Sequence, residues 1–362
     1  MIELPESLNT YKICEDNTDY FHAHDDIISR LVFGKVPNDA DISIMVPAHS
    51  RFDTLRKTIS SLNNLDCPEN LKVVFVIVVN NPKFKLEDLG VNLDEKKFLV
   101  YVNEKDLGMV GNINRCCLLS LGKYIAFCHD DDVLCKDYLL SIVKHLPKLE
   151  KAGFACAVPN RYFHFPENKE FEAKTKKRHK MSRLAFLSHK KLRKVTYKEC
   201  AKTWSNCFGG GPTCGVLFNR EILLKTTGFP ENFPYVFDYV FFVKFSFDHK
   251  IFLLNDYTSI YRMNLGASNR PEVQYDFFVG NLAILALLRD HVKFAKKYQN
   301  EMIYDSCYCR SEECIKMILK DFKIPKVSKL RYAIYKFKII FNLFRLDLFR
   351  YNIVPDKLRG MM

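Results

Sequence analysis

Glycine and proline are sparse in this chain, fourteen of each among 362 residues, which excludes collagen-like and low-complexity architectures. No run reaches the roughly 18 uncharged apolar residues that a membrane-spanning helix needs. Val73 to Val79 and Leu282 to Leu288 are only a strand-length and a short-helix-length run. Met1 to Lys12 is mixed and polar, so no secretory signal is expected there. Cys-x2-Cys knuckles are missing too. Among the thirteen cysteines, the spacing Cys307-Tyr308-Cys309 with Cys314 beyond does not point to structural zinc. A chain of this length with 48% hydrophobic residues has no need of a disulfide scaffold. Cys128, Cys156 and Cys214 are expected to be reduced and to act as small hydrophobes in a cytoplasmic protein.

Acids are missing from one long stretch and scarce in another. Lys174 to Lys198 holds eleven Lys and Arg and no acid, and Lys326 to Arg359 nine against two, within a net charge of +13. Such concentrations point to a polyanionic partner: nucleic acid, anionic lipid or a phosphorylated substrate. Recognition of single-stranded nucleic acid wants exposed aromatics among the charges, and Lys174 to Lys198 has only Phe186 and Tyr197. Nucleic acid is therefore not the expected partner. Beyond Pro325, Leu330, Ile334, Phe337, Phe341, Phe344 and Leu348 recur at three- and four-residue spacing. This predicts a basic amphipathic helix over Leu330 to Tyr351, which either lies in an anionic membrane surface or packs on its own domain.

Residues 1–40 read as a polar leader with a short helix near Asp25 to Phe33; His22, His24, Asp25 and Asp26 fit a capped helix start better than a metal cluster. Strands are then expected at Ile42 to Val46, ended by Pro47, and at Val73 to Val79, Phe98 to Val102 and Tyr124 to Cys128. They alternate with helices at Thr54 to Leu62 and Gly111 to Leu121. Near-continuous apolar strands alternating with helices predict an α/β fold with a mostly parallel sheet covered on both faces. Ligands of such sheets bind outside the carboxyl ends of the strands, where His49-Ser50-Arg51, Asn80-Asn81 and His129 to Asp132 fall. Asp130, Asp131 and Asp132 repel one another unless something cationic offsets them, as a divalent metal would. The competing reading is a helix N-terminus, with one Asp capping a segment that starts at Val133. Farther on, residues 160–200 form a basic insertion expected to be mobile, and Gly209 to Pro212 a turn that lets backbone approach a ligand. Helices are expected over Arg220 to Thr226, from Asp238 through Phe247, and across 275–320.

At this point the residues resemble the family 2 glycosyltransferases of the GT-A fold, from about Asp41 to Asn269. Ile42 to Arg51 is similar to the family's opening strand and Pro-Thr-Tyr-Asn-Arg turn, and Val78-Val79-Asn80-Asn81 to its Val-Asp-Asp. Glu104 to Gly108 and Gly111-Asn112-Ile113-Asn114-Arg115 resemble the Glu-Asn-x-Gly segment and the helix after it. Gly122-Lys123-Tyr124-Ile125 with His129 to Asp132 resembles the strand that carries the Asp-x-Asp metal motif. Gly228-Phe229, Asp238 and Tyr261-Arg262 follow the order of the acceptor half. The resemblance implies a Rossmann-like GT-A domain over 41–270, with a nucleotide-sugar half (41–135) and an acceptor half (136–270); the pattern of the remaining residues, not the resemblance, predicts a helical region over 271–362. The resemblance implies inverting transfer from a nucleotide-sugar donor, a UDP-sugar first, to a glycan or lipid-linked acceptor in surface polysaccharide synthesis, and the basic tail adds the expectation that the protein sits at the inner face of the cell membrane. Mn²⁺ or Mg²⁺ would sit on Asp131 and Asp132. Pro47, Ala48, His49, Arg51, Asn80, Asn81, Asp106, Gly108, Asn112, Asn114, Arg115 and Asp130 would hold the donor. Gly210, Gly211, Thr213, Tyr261 and Arg262 would face the acceptor, with Asp238 as the base. The sequence departs from the family at His129 (first position of the metal motif), Asn80 (an Asp in the family), Asn264 (often His) and Phe237 (usually an acid). Two other classes are the alternatives: a sugar-phosphate nucleotidyltransferase, disfavoured because Val46 to Asp53 has no glycine, and a basic nucleic-acid-binding protein.

Overall fold

The apolar runs assemble into one sheet in a computed structural model that describes residues 17–164, 192–204, 213–262, 270–345, 352–353, 355 and 358. Its strands are β1 (Ser29–Phe33), β2 (Ile42–Ala48), β3 (Val73–Val79), β4 (Phe98–Asn103), β5 (Tyr124–Phe127), β6 (Val133–Leu134), β7 (Cys156–His164), β8 (Leu192–Val195), β9 (Leu217–Asn219), β10 (Ile251–Arg262) and β11 (Asn352–Ile353). They lie in the order β1-β4-β3-β2-β5-β9-β7-β10-β6, with β8 on β10 and β11 on β7. The block β4-β3-β2-β5 is parallel. β9 runs antiparallel between β5 and β7, and β7 pairs with β10 in parallel.

Helices cover both faces, which is why the central strands are apolar on both sides. Alternate residues of β2 divide between two cores. Ile42, Ile44 and Val46 pack with α1 (Phe52–Asn63) and α3 (Tyr138–Ala152). Met45 faces the larger core with α2 (Gly108–Leu119), α6 (Phe237–Asp248) and α7 (Pro271–His291). The short helices α4 (Tyr197–Thr203) and α5 (Arg220–Leu224) lie before and after β9. The chain ends in α8 (Lys293–Tyr308), α9 (Glu312–Asp321) and α10 (Lys329–Arg345), whose buried residues join the larger core. Among the described residues no helix is long and apolar enough to cross a membrane.

From β2 the chain builds β3 and β4 to one side, then returns to place β5 on the other. A crevice therefore opens where β2 and β5 end, the point at which open α/β sheets bind ligands. Gly122 makes the turn into β5 with φ +76°, and a Cβ there would lie 2.4 Å from the Ala40 carbonyl oxygen, so only glycine fits.

Several expectations are corrected. Residues 29–33 are not helical: Ser29–Phe33 pairs antiparallel with β4 as an edge strand, which suits Leu31-Val32-Phe33 better than a helix does. Pro47 does not end β2. Its missing N–H points to the side where β5 stops pairing at Phe127, so no ladder bond is lost. The capped helix at Val133 is replaced by β6, which pairs with Ser259 and Ile260 of β10; the next helix begins at Tyr138. The Asp triplet is thus a loop between two strands. Residues 165–191, Gly209 to Pro212, Asn264 and the stretch of the last helix beyond Arg345 lie outside the described residues.

Candidate active site

Two loops meet in the crevice: His49 to Arg51 after β2, and His129 to Asp132 after β5. The Arg51 guanidinium forks between them, Nη1 donating to Asp131 Oδ2 and Nη2 to Asp130 Oδ1. Asp130 also accepts the His49 N–H; burial pushes its pKa up to about 6, against the pull of Arg51. Asp132 is fully buried. Its Oδ1 accepts the Arg262 N–H at 3.2 Å, and its Oδ2 has no hydrogen-bond partner among the described residues. Burial raises its pKa well above the usual carboxylate range.

His129 stands beside it, Nε2 2.7 Å from Thr213 Oγ1 and Nδ1 3.9 Å from Asp132 Oδ2. Burial pushes this imidazole down to about 4, so it is neutral near pH 7 with a lone pair to offer. One ligand atom each from His129, Asp131 and Asp132 lie within 4.8 Å of one another. An unpartnered buried carboxylate oxygen is costly. Set beside a neutral imidazole and a second carboxylate, it fits a divalent cation that accepts oxygen and nitrogen ligands. The loop is held from below: Thr58 Oγ1 donates to the carbonyls of Asp132 at 2.6 Å and His129 at 3.3 Å, and Arg262 Nε to that of Asp131. Thr213 and Arg262, expected at the acceptor, are thus brought to the acidic loop.

A second network ties the ends of β2, β3 and β4 to the start of α2. Asn80 Oδ1 accepts from Asn103 Nδ2 and from the Leu107 N–H, both at 2.9 Å, and Asn80 Nδ2 donates to Asp106 and to the Gly108 carbonyl. Asn112 accepts from Asn103 at 2.9 Å and donates to the Val78 carbonyl at 3.1 Å and the Ala48 carbonyl at 3.4 Å. Asn80 and Asn112 are buried and spend their polar groups on this brace. His49 and Asp106, 3.5 Å apart and more than half exposed, are left at the rim. Pro47 and Ala48 form the end of β2, and Asn81 Oδ1 caps a turn by accepting the Lys83 N–H.

Two donor candidates are turned elsewhere. Asn114 exchanges hydrogen bonds with the backbone of Phe229 at 2.8 and 2.9 Å. Arg115 reaches the carbonyls of His24 and Ile27 and the hydroxyl of Ser29, which fixes the N-terminal segment. Gly210 and Gly211 lie outside the described residues.

On the acceptor side, Asp238 sits in the first turn of α6, Oδ1 accepting the Tyr239 N–H at 2.7 Å. Burial pushes its pKa up to about 7, while the Tyr239 N–H and Arg161 pull it down. Arg161, on β7, is 3% exposed, and its charge acts on Asp132, Tyr261 and Asp238 alike. Tyr261 packs edge-on to Phe163. Sequence reasoning missed Arg161 and left His129 as a departure from the motif. The available signal for Arg161 was a lone cation inside the otherwise uncharged strand Cys156 to His164.

Parallel strands, a switch-point crevice and a clustered acidic loop define an α/β protein with a ligand site and a candidate metal centre at the carboxyl ends of its strands. The sequence profile of Glycosyl transferase family 2 matches residues 43–225, half of the chain, and the protein belongs to that family. It is a glycosyltransferase with a GT-A fold. No curated protein matches it. Among solved structures, residues 1–349 of S. aureus TarS, also solved with UDP-GlcNAc and with UDP, share 14% identity over 85% of this chain and 90% of that one, with TM-scores of 0.46–0.47. The chain covers 55% of a longer TarS structure. The mannosyltransferase PcManGT from Pyrobaculum calidifontis, solved with GDP-Man and Mn²⁺, shares 11% identity over 88% of each chain, with a TM-score of 0.48.

Proposed function

We propose that the crevice binds a nucleoside-diphosphate sugar, a UDP-sugar in the first instance. The chain would transfer its sugar with inversion to a hydroxyl of a glycan or lipid-linked acceptor in surface polysaccharide synthesis, at the inner face of the cell membrane. The observation that carries the reading is the buried Asp132 Oδ2, unpartnered beside Asp131 and His129 at the sheet's switch point. Those three residues would hold Mn²⁺ or Mg²⁺, which supplies positive charge to a departing diphosphate. Arg51, on the loop after β2, adds a fixed positive charge against Asp130 and Asp131. His49 and Asp106 at the rim are the exposed groups for the base and ribose.

Asp238 is the general base of this reading. The acceptor oxygen bonds to the anomeric carbon as the carbon–phosphate-oxygen bond breaks; the hydroxyl proton goes to Asp238, and the nucleoside diphosphate leaves with the bonding pair. A carboxylate with a pKa about 7 is basic enough to take that proton and still ionised above neutrality. Incubation with a panel of nucleotide sugars, scored for nucleotide release and for the anomeric configuration of the product, tests the proposal. Release from one donor with an inverted product supports it; no release from any donor, or retention, contradicts it.

A further inference from the structure

α10 has apolar side chains on two opposite faces. On one, Tyr335 is fully buried and Ile339 nearly so, within the core that also holds α7 and α8. Arg331 Nε donates to the buried Glu301 of α8 at 2.5 Å. Lys336 Nζ donates to Asp305 of α8 at 2.8 Å, and the Tyr332 hydroxyl reaches the same carboxylate. These contacts fix the helix on the body of the enzyme. The other face is left to solvent: Leu330 is 73% exposed, Phe337 68% and Phe341 57%, with Ile334 and Ile340 also exposed. At 3.6 residues per turn, Leu330, Ile334, Phe337 and Phe341 form one stripe, with Lys338 along one edge and Lys329 along the other. From Lys323 to Arg345 the chain carries seven Lys or Arg and no acid.

The chemistry of this face selects its partner. A second copy of the chain would set like charges against one another. An acidic soluble partner would match the cations and leave the aromatics unmatched. An anionic bilayer surface satisfies both, with phosphates for the lysines and the acyl boundary for Leu, Ile and Phe. We propose that the outer face of α10 is a docking surface for an anionic phospholipid leaflet. Leu330, Ile334, Phe337 and Phe341 enter the headgroup–acyl boundary, and Lys329 and Lys338 at the edges of the stripe meet lipid phosphates. The inference rests on the membrane placement proposed above and gives it a surface.

Past Arg345 the chain returns as β11 beside Tyr162 and Phe163 of β7, and Leu358 packs on the cluster of Val133, Cys135 and Ile260. Val133 adjoins Asp132, and Ile260 adjoins Tyr261. Deleting the tail would strip this support from the site, so point substitutions on the exposed face are the appropriate probe.

The test is flotation of the full chain with phosphatidylcholine vesicles, with and without phosphatidylglycerol, alongside Phe337→Ser/Phe341→Ser and Lys329→Gln/Lys338→Gln double variants. The wild type should float with phosphatidylglycerol vesicles and be released by salt. The Phe variant should lose about tenfold or more in binding, and the Lys variant should bind more weakly. Nucleotide release in solution should match the wild type in both; its absence from every protein would count against the transferase reading and leave the vesicle result intact. No binding by the wild type, equal binding to neutral vesicles, or binding that survives the Phe substitutions would overturn the proposal. So would a wild-type dimer in light scattering that the Phe substitutions disperse, which would assign the face to a second copy.

Discussion

Asp238→Asn separates a catalytic from a structural role because the two move stability in opposite directions. Burial holds this carboxyl at a pKa of about 7, against an ordinary value of 3.8. The folded state therefore disfavours the ionised form, and this group's contribution to stability, present at low pH, is lost as pH rises toward 7. That gap corresponds to an upper bound of roughly 4 kcal/mol above pH 7. Asp238 keeps part of its surface in water, and solvent screening brings the expected value to about 1–3 kcal/mol. Asn keeps the oxygen that accepts the Tyr239 N–H and never ionises. Urea unfolding without metal should find the variant more stable at pH 8 by about 1–3 kcal/mol, with the difference gone near pH 4. Its turnover should fall by roughly 100-fold or more, the range for a lost general base, with donor affinity almost intact. A variant less stable at pH 8, or one that loses donor affinity in proportion to turnover, would refute the reasoning and make Asp238 a helix-start residue only.

Two further outcomes follow from the same site and a third from the turn into β5. Asp131→Asn should remove most turnover and weaken donor binding in Mn²⁺, measured by steady-state kinetics and calorimetry; near-normal activity in a folded variant would exclude Asp131 from the metal. Arg161→Gln removes a cation that pulls the Asp238 pKa down, so the acid limb of the pH–rate profile should move to higher pH; an unmoved limb would separate Arg161 from the base. Gly122→Ala should destabilise the fold by about 1–3 kcal/mol, because φ is +76° and the new Cβ meets the Ala40 carbonyl; a neutral result in thermal melts would show that this turn relaxes.

What was legible in the sequence was what repeats along the chain. Val73 to Val79 reads as a doubly buried strand and is one, and the polar clusters after β2, β3 and β5 fall at strand ends because an apolar run must stop there. The edge strand at Ser29–Phe33 was not legible, since a run of five residues beside a charged turn suits either helix or strand until β4 offers a partner. Buried polar contacts over long sequence distance were equally hidden. Arg262 bracing Asp131 and Asp132, Thr213 on His129, and Arg115 on the N-terminal segment depend on tertiary proximity. In the last helix, the Leu330 to Phe341 periodicity showed an apolar stripe but not which way it faces, and the inward face of Tyr332, Tyr335 and Ile339 could be assigned only with α8 in place.

The proposed chemistry depends on a divalent metal centre on His129, Asp131 and Asp132. Its most direct test is titration of the full chain with Mn²⁺, followed by the disappearance of the free-ion electron paramagnetic resonance signal, with UDP and with GDP, in wild type and Asp132→Asn. One Mn²⁺ should bind per wild-type chain in the presence of the donor's nucleoside diphosphate, and that binding should be lost in the folded variant. No Mn²⁺ bound by the wild type with either nucleotide, or equal binding by Asp132→Asn, would contradict it.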